Sequence, residues 1–190
     1  MDRVLFADRG QVERLLPMDE CIEVMDAALR ALAAGQAILP LRTMMRLPDG
    51  RSLLALMPSY LGSIEALGVK AISIFPGNHG TRYDSHQGVV LLFDAEHGAL
   101  RAVLDGVSIT AIRTAAVSAL ATRLLARPDA GDLALIGAGT QARTHLEAMG
   151  VVRHLRRVRV FSLPPEGAAA FAARETRRLV DEVLQKVPSL

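Results

Sequence analysis

The chain has 190 residues and a mass of 20.4 kDa, is 51% hydrophobic, 22% charged and 4% aromatic, and carries a formal charge of +2. That length buries a core as one domain or two small ones, and the apolar content argues against a disordered chain. The longest stretch without Asp, Glu, Lys or Arg is 13 residues, 52–64, with Pro58 inside it, too short for a membrane span of roughly 20 residues.

At the start, charges at Asp2, Arg3, Asp8 and Arg9 leave no apolar signal core. An amphipathic helix is predicted over 18–34, where Cys21, Val24, Met25, Ala28, Leu29 and Leu32 recur at helical spacing and Gly35 ends the pattern. Cys21 lies on that stripe as a core thiol. Being the single cysteine, it forms no internal disulfide, and no Cys/His set has metal spacing, so no metal is expected. A soluble, reducing, cytoplasmic setting is the default expectation.

Two strands are predicted at about 41–47 and 52–57 around the hairpin signal Pro48-Asp49-Gly50, and two more in the apolar runs 67–75 and 88–93. A polar loop, 76–87, separates the latter pair and contains His79 and His86. The turn 94–98, with His97, leads to a strand at 99–104. The texture then changes. A helix over 107–125 puts Ile109, Ile112, Ala116, Leu120 and Leu124 on one face, and Pro128-Asp-Ala-Gly131 reads as a loop and domain boundary. Strand 133–136, helix 140–153 (with His145), strand 158–161 and helix 166–184 follow, an order that argues for a parallel sheet. The expected division is 1–127, including the linking helix, and 128–190.

The pI of 9.1 raises nucleic acid as a partner. From Val151 onward eight basic residues (Arg153, Arg156, Arg157, Arg159, Arg174, Arg177, Arg178 and Lys186) stand against four acidic ones, with only Phe161 and Phe171 to stack on bases. A solvated helical face is the expected reading, with no nucleic acid and no membrane as partners.

Leu133-Ala-Leu-Ile-Gly137-Ala-Gly139-Thr-Gln-Ala142 follows a buried strand and opens a helix inside a strand-helix-strand unit. In that setting the first glycine makes the tight turn and the second lets a pyrophosphate approach the backbone. Ala142 packs the helix on the strand, and free amides bind phosphate. The alternative is a turn that uses glycine for geometry alone. No Asp or Glu closes the second strand, which ends Val160-Phe-Ser-Leu-Pro-Pro165, so nothing there separates NAD from NADP.

Six ordered motifs together resemble the ornithine cyclodeaminase and mu-crystallin family. They are Leu41-Arg42, Leu56-Met-Pro-Ser-Tyr-Leu61, Gly68-Val-Lys70-Ala71, Ser85-His-Gln-Gly-Val-Val-Leu-Leu-Phe-Asp94, Thr110-Ala-Ile-Arg113-Thr114-Ala-Ala116, and Ile136-Gly-Ala-Gly-Thr-Gln-Ala142 with His145. The resemblance implies an α/β chain in which a strand-rich α+β substrate and dimerisation domain precedes an incomplete Rossmann-type βαβα domain. Hydride chemistry at the carbon bearing an amino acid's nitrogen is implied with it: ornithine to proline plus ammonia, or reduction of a cyclic imino acid. Arg42, Lys70 and Arg113 would hold the substrate, with Lys70 catalytic. Thr114, Gly137, Ala138, Gly139, Thr140, Gln141 and Ala142 would contact NAD or NADP, NAD slightly preferred. A homodimer is implied. So is truncation within the Rossmann domain, before the family's catalytic aspartate, and the alternative is a non-catalytic member that retains ligand binding or oligomerisation only.

The residue chemistry leaves alternatives beside these roles. Arg113, early in an apolar helix, opposes the helix dipole, and an anion in its guanidinium fork would offset that; an ion pair with Asp105 or simple exposure would serve as well. Lys70, inside an apolar run, reaches solvent at a sheet edge or is desolvated in a pocket and usable as a proton carrier. Arg42 belongs to a substrate site or to a polar outer face.

Overall fold

The computed structural model describes residues 3–186; Met1, Asp2 and residues 187–190 lie outside the described residues, as do the side chains beyond Arg178, Lys186 included. The chain forms two compact units that divide between Arg113 and Thr114, and no described helix is long and apolar enough to cross a membrane.

The first unit begins with β1 (Leu5–Ala7), α1 (Arg9–Leu15) and α2 (Met18–Ala33). Asp8 starts α1 with a capping box: its carboxylate accepts from the Gln11 amide while the Gln11 side chain accepts from the Asp8 amide. After β2 (Ala37–Ile38) come β3 (Thr43–Arg46), β4 (Leu53–Leu61), β5 (Ala66–Ile74), β6 (His86–Phe93) and β7 (Leu100–Asp105). They form one mainly antiparallel sheet in the order β1-β7-β6-β5-β4-β2, with β3 also on β4 and β1 parallel to β7. Asp49 fixes the β3–β4 turn by accepting from the amides of Arg51 and Ser52 and from the Ser52 hydroxyl. Gly50 supplies the positive φ of +67° that the turn needs.

The pleat sorts the sheet into two faces. Ala7, Ala55, Ile72 and Ala102 are buried on one. Phe6, Met45, Leu56 and Val89, on the other, stay exposed.

α3 (Gly106–Leu125) follows, and its first turn is held by Asp105, which accepts from the Ser108 amide at 2.7 Å and from the Ser108 hydroxyl. The second unit continues with β8 (Asp132–Ile136), α4 (Thr140–Val152), β9 (Arg157–Phe161) and α5 (Pro165–Lys186). β8 and β9 pair in parallel, and their core gathers Leu135, Leu146 and Phe171, with Leu133, Ala138, Ala142, Leu155 and Val160 against it. Arg153 donates to the carbonyls of Thr122 and Ala126 and so caps the end of α3.

Several expectations need correction. β1, α1 and β2 have no counterpart in the expected elements because their apolar runs are too short for periodicity. β3 begins at Thr43, so Arg42 lies just before the strand. His86 opens β6 and is not part of the loop. Val24, Leu29 and Leu32 of the expected α2 stripe and Leu124 of α3 are exposed, because Met18, Cys21, Ile22 and Ala31 form the buried stripe of α2, and α3 buries Ala111, Ile112, Ala115, Ala116, Ala119 and Leu120. The basic residues of the second unit do not share one helical face: Arg157 and Arg159 are on β9, and Arg174 and Arg178 on α5 flank the buried Glu175.

Candidate functional site

In the first unit, Lys70 stands on β5 opposite Met57 of β4 and Val90 of β6. Both strand neighbours are occupied, so it has no sheet edge to escape by, and it projects from the face that buries Ala55 and Ile72. Burial, reinforced by the charges of Arg113 and then Arg42, brings its ammonium down from the usual lysine range to about 8. Arg113 is half-buried and also lowered, by burial first and by Arg42 second. Arg42 is exposed.

Thus the fold brings three cations close enough to repel one another, and among the described residues no carboxylate pairs with any of them. The ion pair of Arg113 with Asp105, one of the alternatives left open by the sequence, is absent among the described residues, and the Asp105 carboxylate is engaged by Ser108. The dipole argument also needs revision. Arg113 lies seven residues past Gly106, about two turns in, where the helix-end field has faded. Burial and Arg42 are the cost an anion would offset. Cys21 sits near Arg113, but burial pushes its thiol up and it stays protonated at neutral pH.

In the second unit, the turn from β8 to α4 contains Gly137 at φ +114°, a conformation that residues with a side chain rarely adopt, and Gly139 as the residue before the helix. A Cβ on either would meet nothing within 4 Å, so the space above the turn is open. No side chain caps α4 and no acid occupies its first turn, which leaves amides of Thr140, Gln141 and Ala142 to face an anion. Ala138 and Ala142 pack on the core beneath.

Sequence reasoning missed a link between α3 and α4. His145 donates from Nδ1 to the Gln141 carbonyl at 2.7 Å, and its Nε2 meets Ser118 Oγ at 3.0 Å. Ser118 in turn reaches the Thr114 carbonyl at 3.3 Å. Only the helical spacing of Gln141 and His145 was visible in the sequence; Ser118 is 27 positions from His145. His79 and His97 are exposed in turns, and among the described residues no group of His, Cys, Asp and Glu could hold a metal ion.

At the carboxyl ends of β8 and β9 a cavity of about 410 Å³ is lined by Ile136, Gly137, Ala138, Phe161, Ser162, Leu163, Pro164 and Gly167. Ser162 Oγ donates to the Pro164 carbonyl at 2.8 Å, and the Gly167 amide donates to the same oxygen at 3.2 Å. Thus the strand end folds into a closed turn with no charged side chain in the lining.

A parallel strand–turn–helix unit with open amides, preceded in the chain by a mainly antiparallel sheet that carries Lys70, defines the class of mixed α/β proteins. The chain belongs to the ornithine cyclodeaminase/mu-crystallin family, whose model matches residues 3–184. It is 39% identical to the ketimine reductase mu-crystallin of Mus musculus over 155 residues, 80% of this chain and 50% of that protein. Among solved structures, Thermococcus litoralis Δ1-pyrroline-2-carboxylate reductase in complex with NADH and L-proline is 39% identical, with a TM-score of 0.88 over 93% of this chain and 55% of that one. An archaeal alanine dehydrogenase dimer with bound NAD is 28% identical, with a TM-score of 0.85 over 92% and 53%. The chain therefore spans about half the length of the relatives it matches.

Proposed function

We propose that this chain carries the substrate-binding sheet and the pyrophosphate-binding turn of an NAD(P)-dependent enzyme that acts on a small cyclic imino acid or its parent amino acid. The observation that carries the proposal is the cluster of Arg42, Lys70 and Arg113 without a carboxylate partner among the described residues. Two similar proteins, one solved with NADH and L-proline and the other with NAD, support the ligand class.

Arg42 and Arg113 neutralise the substrate carboxylate, Arg113 from a rigid helix position that favours a two-point fork. Lys70, held near 8, is protonated at neutral pH yet close to balance, so it supplies or retains a proton at the reacting nitrogen. Bound nicotinamide would supply hydride exchange at the carbon attached to that nitrogen. Gly137, Ala138, Gly139, Thr140, Gln141 and Ala142 hold the pyrophosphate, and Thr114 lies at the cofactor. The exposed apolar sheet face, with Phe6 at 69% and Met45 at 59% exposure, is read as the contact between two copies.

The test combines NADH with Δ1-pyrroline-2-carboxylate and follows loss of NADH absorbance, with ammonia release from L-ornithine measured in parallel. NADH oxidation supports reduction, and ammonia release supports cyclodeamination. Calorimetric binding of L-proline without turnover leaves a ligand-binding protein, and no binding of any of these compounds refutes the proposal.

A further inference from the structure

The hydrogen-bonded link from α3 to α4 ends on the helix start that would receive a phosphate. His145 Nδ1 lies 2.7 Å from the Gln141 carbonyl. A carbonyl only accepts, so the ring proton is on Nδ1 and the neutral Nε2 is an acceptor. The Ser118 hydroxyl, 3.0 Å from Nε2, donates to it and holds that tautomer. In an α-helix the Gln141 carbonyl already receives the backbone amide of His145, four residues on. It also accepts from the hydroxyl of the buried Thr144 at 3.3 Å. The imidazole bond is thus surplus to what the helix needs. Its acceptor oxygen belongs to the peptide unit whose nitrogen is the Ala142 amide, one of those the helix start leaves without an internal partner. Donation to a carbonyl polarises its peptide and strengthens the N–H across the same bond as a donor. In the other direction the link reaches Thr114, whose carbonyl is 3.3 Å from Ser118 Oγ. One arc therefore joins Thr114 to the first turn of α4, two segments far apart in the chain.

Resting on the dinucleotide assignment made under Proposed function, we infer that His145 is a positioning residue for the cofactor: it fixes and polarises the Gln141–Ala142 peptide so that the Ala142 amide binds the pyrophosphate. His145 acts through that peptide, and Ser118 sets its tautomer. With the proton on Nε2 instead, the Nδ1 lone pair would face the lone pairs of the Gln141 oxygen and the bond would be lost. A plain strut between α3 and α4 needs the Nε2 end of the ring, which meets Ser118. The positioning role needs the Nδ1 end, which meets Gln141. Substitution separates the two ends. An asparagine amide falls near Nδ1 and retains a donor to Gln141, whereas a glutamine amide falls near Nε2 and retains the reach to Ser118.

The experiment is calorimetric titration of the full chain with NADH at pH 8, for the native protein, His145→Asn and His145→Gln, each verified as folded by a cooperative thermal transition. His145→Gln is expected to weaken NADH about fivefold, the worth of one hydrogen bond, while His145→Asn stays within about twofold of native. Nitrogen-15 NMR of the native chain gives a second readout that needs no variant. The His145 proton is expected on Nδ1, and saturation with NADH should move the His145 Hδ1 and Ala142 amide resonances together. Equal weakening by the two variants, or weakening by His145→Asn alone, reduces the link to a strut and overturns the inference. Unchanged NADH affinity in both variants overturns it too, as does an Nε2-protonated ring or a pair of resonances that NADH leaves in place. These results leave the dinucleotide assignment intact. Failure of the native chain to bind NADH removes that assignment itself, and this inference with it.

Discussion

Lys70→Met is the most direct probe of the cation cluster. Methionine keeps a flexible apolar stem of similar length and removes the charge. Lys70 is displaced from the ordinary 10.5 to about 8, which for a fully desolvated group corresponds to ~3.4 kcal/mol. The side chain is only half-buried, so solvent screening cuts the expected gain to about 1–2 kcal/mol at pH 7. The pH dependence follows from the sign of the displacement. Below pH 8 the lysine is charged in both folded and unfolded chains, and the native protein bears the full penalty. Between about 8 and 10.5 the folded chain has released the proton while the unfolded chain keeps it, so native stability rises with pH. The advantage of Lys70→Met is therefore constant in the acid and neutral range and disappears toward pH 10.5. Urea denaturation followed by far-ultraviolet circular dichroism at pH 6.5, 7.5, 9 and 10.5 measures it. A destabilised variant at pH 7, or an advantage that persists unchanged to pH 10.5, refutes the placement of Lys70 as a strained cation. The same variant should lose affinity for L-proline, because the strain is what a carboxylate relieves.

Further consequences concern single contacts. Arg113→Ala should weaken binding of the amino-acid carboxylate by roughly ten- to hundredfold, the worth of a lost charge-assisted pair, while NADH affinity in calorimetry is unchanged; equal loss for both ligands contradicts its assignment to the acid. Gly137→Ala should cost about 1–3 kcal/mol through its backbone conformation alone, since the space around it is open, and a thermal melt indistinguishable from native would disprove the turn geometry. Ser118→Ala and His145→Ala should each destabilise by about 1 kcal/mol, and a double-variant cycle should return a non-zero coupling if the two side chains meet. Asp49, held below the usual aspartate range chiefly by the Ser52 hydroxyl and then by the Ser52 and Arg51 amides, supports the β3–β4 hairpin above the ordinary aspartate pKa and stops doing so as pH falls through its lowered value. Nuclear Overhauser contacts between Met45 and Leu54 should fade over that acid range, and in Asp49→Asn they should be weak at neutral pH as well.

Much of this protein was legible one segment at a time. The glycine turn was recognisable because its signal is local: a buried strand, two glycines and a helix start within ten positions, each constrained by backbone geometry. The same holds for the hairpin at Asp49 and Gly50, and for Cys21 as a core thiol. Helix and strand ends were approximate, because chain termini of elements are set by tertiary contacts as well as by sequence. The chain by itself also fixed the missing charge after Phe161, since no packing can supply a carboxylate that the residues lack.

Tertiary structure alone decided what the isolated cations mean. Whether Lys70 reaches water depends on whether β5 is an edge or central strand, and that pairing joins residues far apart in sequence. Arg113 could have met Asp105; the fold gave Asp105 to Ser108 and set Arg113 near Arg42, 71 positions away. The Ser118–His145 link likewise exists only where α3 and α4 pass each other. Periodicity reports which face of an element is apolar, but electrostatic strain arises from through-space distance, which the linear order of residues does not encode.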